Sequence, residues 1–132
     1  MKSNLEKKVF VICPVRNITK EEEKFIEGYV AGLEEKGYKV HYPPRDTNQK
    51  DPIGLNICSQ NKKAIKESKE IHIYWNAESE GSLFDLGMSF AYGKPLYLIN
   101  KNKIKPTQSK SFTNVLLALH DLKQKNEKNE KS

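Results

Sequence analysis

Ile71-His72-Ile73-Tyr74-Trp75-Asn76-Ala77-Glu78-Ser79-Glu80-Gly81-Ser82-Leu83-Phe84-Asp85-Leu86-Gly87 runs from one kind of periodicity into another. Its first five residues form an apolar run that reads as a strand. Leu83, Leu86, Gly87, Phe90 and Ala91 then recur at helical spacing. Between them lies Ser79-x-Gly81, a turn that aims backbone N–H groups and a hydroxyl at one spot where an anion can sit. Asp85 is expected in the first helical turn, with its carboxylate beside that spot.

The same alternation extends in both directions. Lys8 to Cys13 is a continuous apolar run of the kind buried on both faces of a sheet. Thr19-Lys20-Glu21-Glu22 is a capping box, and the helix it opens carries Phe25, Ile26, Tyr29, Val30 and Leu33 on one side before Gly37 stops it. Lys39 to Tyr42 is a short strand closed by Pro43-Pro44. Asp51-Pro52 starts a helix to about Ser68, with Ile57, Cys58 and Ile65 inward. Glu70 to Trp75 is the third strand, Ser82 to Tyr92 the third helix and Pro95 to Ile99 the fourth strand. Phe112 to Leu122 closes the domain as an amphipathic helix with Val115, Leu116, Leu119 and Leu122 inward.

Strands alternating with helices predict an α/β fold: a flavodoxin- or Rossmann-like three-layer sandwich with helices on both faces. The sheet is expected to be parallel, of four to five strands in the order 2-1-3-4. Ligands of such sheets bind beyond the carboxyl ends of the strands, where the strand order reverses. Pro14-Val15-Arg16-Asn17 and Asn76 to Ser82 would then face each other across one crevice.

A chain of 132 residues supports one domain, placed at residues 1–122. Residues 123–132 are Lys, Gln, Asn, Glu and Ser, with nothing to bury, and are expected to be a disordered charged tail. The first few residues are expected to fray. No apolar run approaches the roughly 20 residues of a membrane span and no signal-peptide pattern opens the chain, so a cytoplasmic protein is expected. Cys13 and Cys58 lack metal-ligand or redox spacing. The net charge of +6 is nearly all lysine, spread over helix surfaces and the tail, with no stripe of interleaved aromatic and basic residues. Nucleic acid is therefore an unfavoured partner. Only Arg16 and Arg45 are arginines, both in loops after strands; they are either ordinary loop charges or placed for planar bidentate contact to phosphate or carboxylate.

Each candidate has a plainer reading. Ser79 and Ser82 are good N-caps, and an acid early in a helix is favoured by the macrodipole. Asn61 falls on the inward stripe of its helix, four residues from both Ile57 and Ile65, and a buried amide needs partners. Trp75 and Asn76 end the third strand, where the indole is either core or a stacking surface for a base. His72 reads as a satisfied core histidine, and His41 and His120 carry no signal. A receiver domain is excluded, because Cys13-Pro14 and Asn76 stand where it needs acids. A P-loop is absent.

Val11-Ile12-Cys13-Pro14-Val15-Arg16, Ser79-x-Gly81-x-x-x-Asp85-Leu86-Gly87 and Ala91-Tyr92-Gly93-Lys94-Pro95, in this order, resemble the nucleoside 2-deoxyribosyltransferase family. They also resemble its hydrolase branch, the 2'-deoxynucleoside 5'-phosphate N-glycosidases. The resemblance runs from about Lys8 to Leu119. It implies a carboxylate nucleophile at Asp85 that attacks C1' of the sugar, with transfer to another base or to water. For the monophosphate-specific members it implies 5'-phosphate contacts from Ser79 and Gly81, and it maps the arginine of the first loop onto Arg16; Ser82, in the same turn, is expected to join them. It places Asn61 at the second catalytic position, and Ser111 or Thr113 where a serine often reaches a neighbouring subunit's site. Trp75 and Asn76 would touch base or sugar. No cofactor and no metal is expected. A homodimer or larger homo-oligomer is implied, with a nucleotide or nucleoside as small-molecule partner. Three positions depart from the pattern: Asp85 for glutamate, Asn61 for a carboxylate, and Cys13 for the usual glycine. The alternative is a catalytically weak or inactive nucleotide-binding sensor of the same fold.

Overall fold

The computed structural model describes residues 7–131, with side chains to 128. Its strands are β1 (Lys8–Ile12), β2 (Lys39–His41), β3 (Glu70–Ile73) and β4 (Leu96–Leu98). Its helices are α1 (Lys20–Glu35), α2 (Pro43–Asp46), α3 (Leu55–Glu67), α4 (Glu80–Ala91) and α5 (Phe112–Lys131), with a 3-10 turn at Lys101–Lys103. All strand pairs are parallel in the order β2-β1-β3-β4, and Val9 pairs with Val40 on one side and Glu70 on the other. The expected α/β sandwich is the one observed, with four strands.

Two apolar layers hold it together. Phe10, Ile12, Ile71, Ile73, Leu96 and Leu98 face Ile65 of α3, Leu86 of α4 and Leu116 of α5. Val9, Val11 and Val40 face Ile26, Val30 and Leu33 of α1 on the opposite side. The continuous apolar reading of β1 follows from this, since both sides of the strand are covered. At the start of α1 the Thr19 hydroxyl accepts from the Glu22 N–H, and the Glu22 carboxylate accepts from the Thr19 N–H, each at 3.1 Å.

The ends of elements moved more than their identity. Pro43-Pro44 opens the short helix α2, as proline suits a first helical turn. Helix α3 begins at Leu55, not at Pro52. Asp51 still caps it, accepting from the backbone N–H groups of Asn56 at 2.7 Å and Ile57 at 3.1 Å. Helix α5 does not stop at Leu122. It runs to Lys131, and Lys123 is buried, ion-paired to Glu70 at 3.7 Å and to Glu127, with its ammonium over the Tyr97 ring. The expectation of a disordered tail from residue 123 gives way to helix over residues 123–131, because a lysine stem can pack against apolar surface when its head is paired. The expected fraying of the first residues falls outside the described ones.

Candidate active site at the carboxyl edge of the sheet

Helix α4 starts at Glu80, with Ser79 as its N-cap, so Asp85 lies in the second turn and not the first. The macrodipole reading of Asp85 loses its force there, because that effect fades beyond the first turn. The helix also turns an unexpected face to the protein. Ser82, Asp85, Leu86 and Ser89 are buried, whereas Phe84 and Phe90 are 57% and 62% exposed. The apolar periodicity identified the helix correctly but not which side faces the sheet.

The buried polar face opens on a cavity of about 690 Å³. Its wall combines Arg16 and Asn17 from the loop after β1, Ile57 and Asn61 from α3, and Asn76, Ser79, Gly81 and Asp85 from the β3–α4 connection. Loops after β1 and β3 meet here because these neighbouring strands are where the sheet order reverses. Asn17 takes a left-handed conformation, φ 55°, which asparagine tolerates better than most residues. Arg16 has no ion-pair partner among the described residues. A Cβ at Gly81 would meet nothing within 4 Å, so the space its hydrogen leaves belongs to the cavity and not to packing.

Asp85 is 9% exposed. Burial pushes its carboxyl up to about 7, and the Asn61 amide, donating from Nδ2 to Oδ2 over 3.4 Å, opposes that shift only in part. Cys13 shares this environment. Burial and then the nearby Asp85 carboxylate push its thiol up to about 12, which leaves it a protonated, inert wall residue. A carboxyl that titrates near neutrality, on the wall of a cavity and held by one long hydrogen bond, is an acid kept away from structural use.

No family model and no curated protein matches the chain. Solved structures do. The CMP N-glycosidase of Clostridium botulinum superposes with a TM-score of 0.54 and 29% sequence identity, over 70% of either chain. In fold, and in part in sequence, the chain is therefore similar to nucleoside 2-deoxyribosyltransferase-like proteins. A 2-deoxyribosyltransferase from Bacillus psychrosaccharolyticus superposes at a TM-score of 0.59 over 83% of this chain and 90% of the other; at 18% identity it speaks for the fold alone.

Not every expected site residue reaches the cavity. Ser82 lies beneath its wall, 1% exposed, where its Oγ accepts the Ser79 hydroxyl at 2.9 Å and its N–H is capped by Ser79. Trp75 is in the core, its Nε1 donating to Thr113 Oγ1 at 3.0 Å, and both residues line a separate hollow with Asn100 and Lys103. Asn100 pins that strand end, accepting the Trp75 N–H and donating to the Trp75 carbonyl. Trp75 and Thr113 therefore stand away from Asp85 in this chain. Arg45 is not available to an anion either. Its guanidinium bridges Glu34, Asp46 and the Val40 carbonyl.

Sequence reasoning missed two residues. Thr47 Oγ1 donates to Asn61 Oδ1 at 2.8 Å, and His41 Nε2 lies 2.8 Å from the same hydroxyl. Both residues sit far from Asn61 in the chain, in a strand end and a loop without periodicity. Only the fold brings them together.

Proposed function

We propose that this protein cleaves or transfers the N-glycosidic bond of a nucleotide, with Asp85 as the nucleophile. One observation carries the reading: a buried carboxylate titrating near neutrality faces a nucleotide-sized cavity, in a chain 29% identical to a CMP N-glycosidase. Arg16 and the Ser79–Gly81 turn at the start of α4 would hold a 5'-phosphate, with Ser82 supporting Ser79 from below. Asn61 and Asn76 would face sugar and base.

In the reaction an Asp85 oxygen bonds to C1' as the C1'–N bond breaks. The electron pair of that bond leaves with the base, which takes a proton from water. Water or a second base then attacks C1' and frees the carboxylate, with retention overall. Only the ionised carboxylate can attack, so the rate should rise as pH increases through about 7 in the free protein.

The rival reading is a nucleotide-binding sensor without turnover. It is favoured by Asn61, an amide that cannot exchange a proton as a carboxylate does. Incubation with CMP, other nucleoside monophosphates and unphosphorylated nucleosides, followed by chromatography for free base, separates the two. Base release faster from monophosphates than from nucleosides is the expected result. Binding without any release over hours would leave the sensor.

We also read the protein as a homodimer or larger homo-oligomer. The exposed Phe84 and Phe90 of α4, together with exposed Ile53 before α3 and Leu55 at its start, support this. Sedimentation velocity giving only a 15.2 kDa species would refute it.

A further inference from the structure

The side chains leading away from Asp85 form a line with a direction. Resting on Asp85 as the reacting carboxylate, we propose that Thr47 and His41 are positioning residues: they hold the Asn61 amide with its NH2 toward Asp85, and the tautomer of His41 reports which way that amide points.

The argument is one of donors and acceptors. An ionised carboxylate only accepts, so Asn61 must present Nδ2 to it, as observed at 3.4 Å. Asn61 Oδ1 then faces Thr47 and takes the one hydrogen of its hydroxyl. With that hydrogen used, Thr47 Oγ1 can only accept from His41, whose N–H must sit on Nε2. Phe10 stacks on the imidazole, ring centroids 5.3 Å apart and planes within 9°, and keeps Nε2 aimed at Thr47. Thr47 and Asn61 are both buried, so water does not replace a missing link.

Protonating Asp85 removes the requirement for an NH2 there and lets every link reverse. Its new O–H can donate to Asn61 Oδ1, the amide then turns its NH2 to Thr47, and the Thr47 hydroxyl donates to Nε2, leaving the imidazole hydrogen on Nδ1. Because an amide passes no proton near neutral pH, the line transmits orientation only. Burial holds His41 below its ordinary pKa, with Asp46 opposing and Arg45 adding to that effect, which favours the neutral ring. The other ionisable groups facing Asp85 are Cys13 after β1 and Cys58 on α3, with Arg16, Glu78 and Glu80 around the cavity. Among the described residues, Asn61 alone hydrogen-bonds its carboxylate.

The test is NMR titration of the whole chain, reading the Asp85 carboxyl carbon and the His41 ring nitrogens. With Asp85 ionised, His41 is expected as the Nε2–H tautomer, shifting toward Nδ1–H at the Asp85 midpoint. Thr47→Val should raise that midpoint by about one pH unit, the worth of one hydrogen bond to a charged group. Thr47→Ser, which keeps the hydroxyl, should restore the parental midpoint. An Nδ1–H tautomer beside ionised Asp85, or a folded Thr47→Val protein with an unmoved midpoint, overturns the proposal. If that variant does not fold, the tautomer in the parent decides. None of these readings needs turnover, so absence of base release would sink the reaction while this proposal is judged separately.

Discussion

Two carboxylates in this protein are withdrawn from water, and the fold treats them in opposite ways. Glu70 accepts from His72 Nε2 at 2.7 Å and pairs with Lys123, while the other His72 nitrogen meets Tyr29 Oη at 2.5 Å. The hydrogen bond from His72, helped by the charges of His72 and Lys123, holds the Glu70 carboxyl below its ordinary range despite burial. Among the described residues Asp85 has a single long hydrogen bond and no ion-pair partner, and burial pushes it up. Burial pushes the Tyr29 phenol well above its usual value too, so the Tyr29–His72–Glu70 line is not an activated nucleophile. A charge surrounded by partners is structure. A charge left short of partners beside an open cavity is available for chemistry.

The sharpest way to break this contrast is Asp85→Asn. Base release should fall at least ~1,000-fold, as expected when a carboxylate acting in catalysis is lost. Its stability should move the other way. Because the native carboxyl titrates above its unfolded value of 3.8, its contribution is fully present below that pH and is lost as pH rises through about 7. At pH 8 the asparagine protein should therefore unfold at a higher temperature than the parent, by up to roughly 4 kcal/mol of stability if the full shift is recovered. A variant that retained parental turnover would remove Asp85 from the mechanism.

Glu70→Gln should do the reverse, costing about 1–3 kcal/mol at neutral pH while leaving the acid limb of kcat/KM in place. Here the native carboxyl titrates below its unfolded value, so the cost should shrink as pH falls through that lowered pKa. A moved acid limb, read from a pH–rate profile, would mean that the two carboxylates communicate.

The smallest effect separates cavity from packing. Gly81→Ala should be neutral or stabilising, by up to about 1 kcal/mol, because alanine suits a helix and its methyl meets no neighbour. The KM for a nucleoside monophosphate should nevertheless rise several-fold, with little change for the unphosphorylated nucleoside. An equal rise for both would place the phosphate elsewhere.

Several residues that line the cavity were legible in the sequence as candidates because their chemistry is local. Ser79, Gly81 and Asp85 sit within one turn-and-helix segment, and Arg16 follows the first strand directly. Trp75 shows the limit. An aromatic ending a buried strand has the same pattern whether it packs inward or greets a ligand, and here it packs, tied to Thr113. Arg45 shows another limit, since a loop arginine bonded to two carboxylates and a carbonyl looks, in sequence, like one awaiting a phosphate.

By itself the sequence determined the alternation of strands and helices and the position of the loop that opens α4, because periodicity and turn chemistry act over a few residues. That alternation led to the expectation of a parallel sheet in the order 2-1-3-4 covered on both faces. The tertiary structure alone decided that α4 turns Ser82, Ser89 and Asp85 inward and leaves two phenylalanines outside, that Lys123 is buried, and that His41 and Thr47 stand behind Asn61. Those outcomes depend on desolvation and on hydrogen bonds between residues distant in the chain, and such terms take a value only once the surrounding surfaces have met.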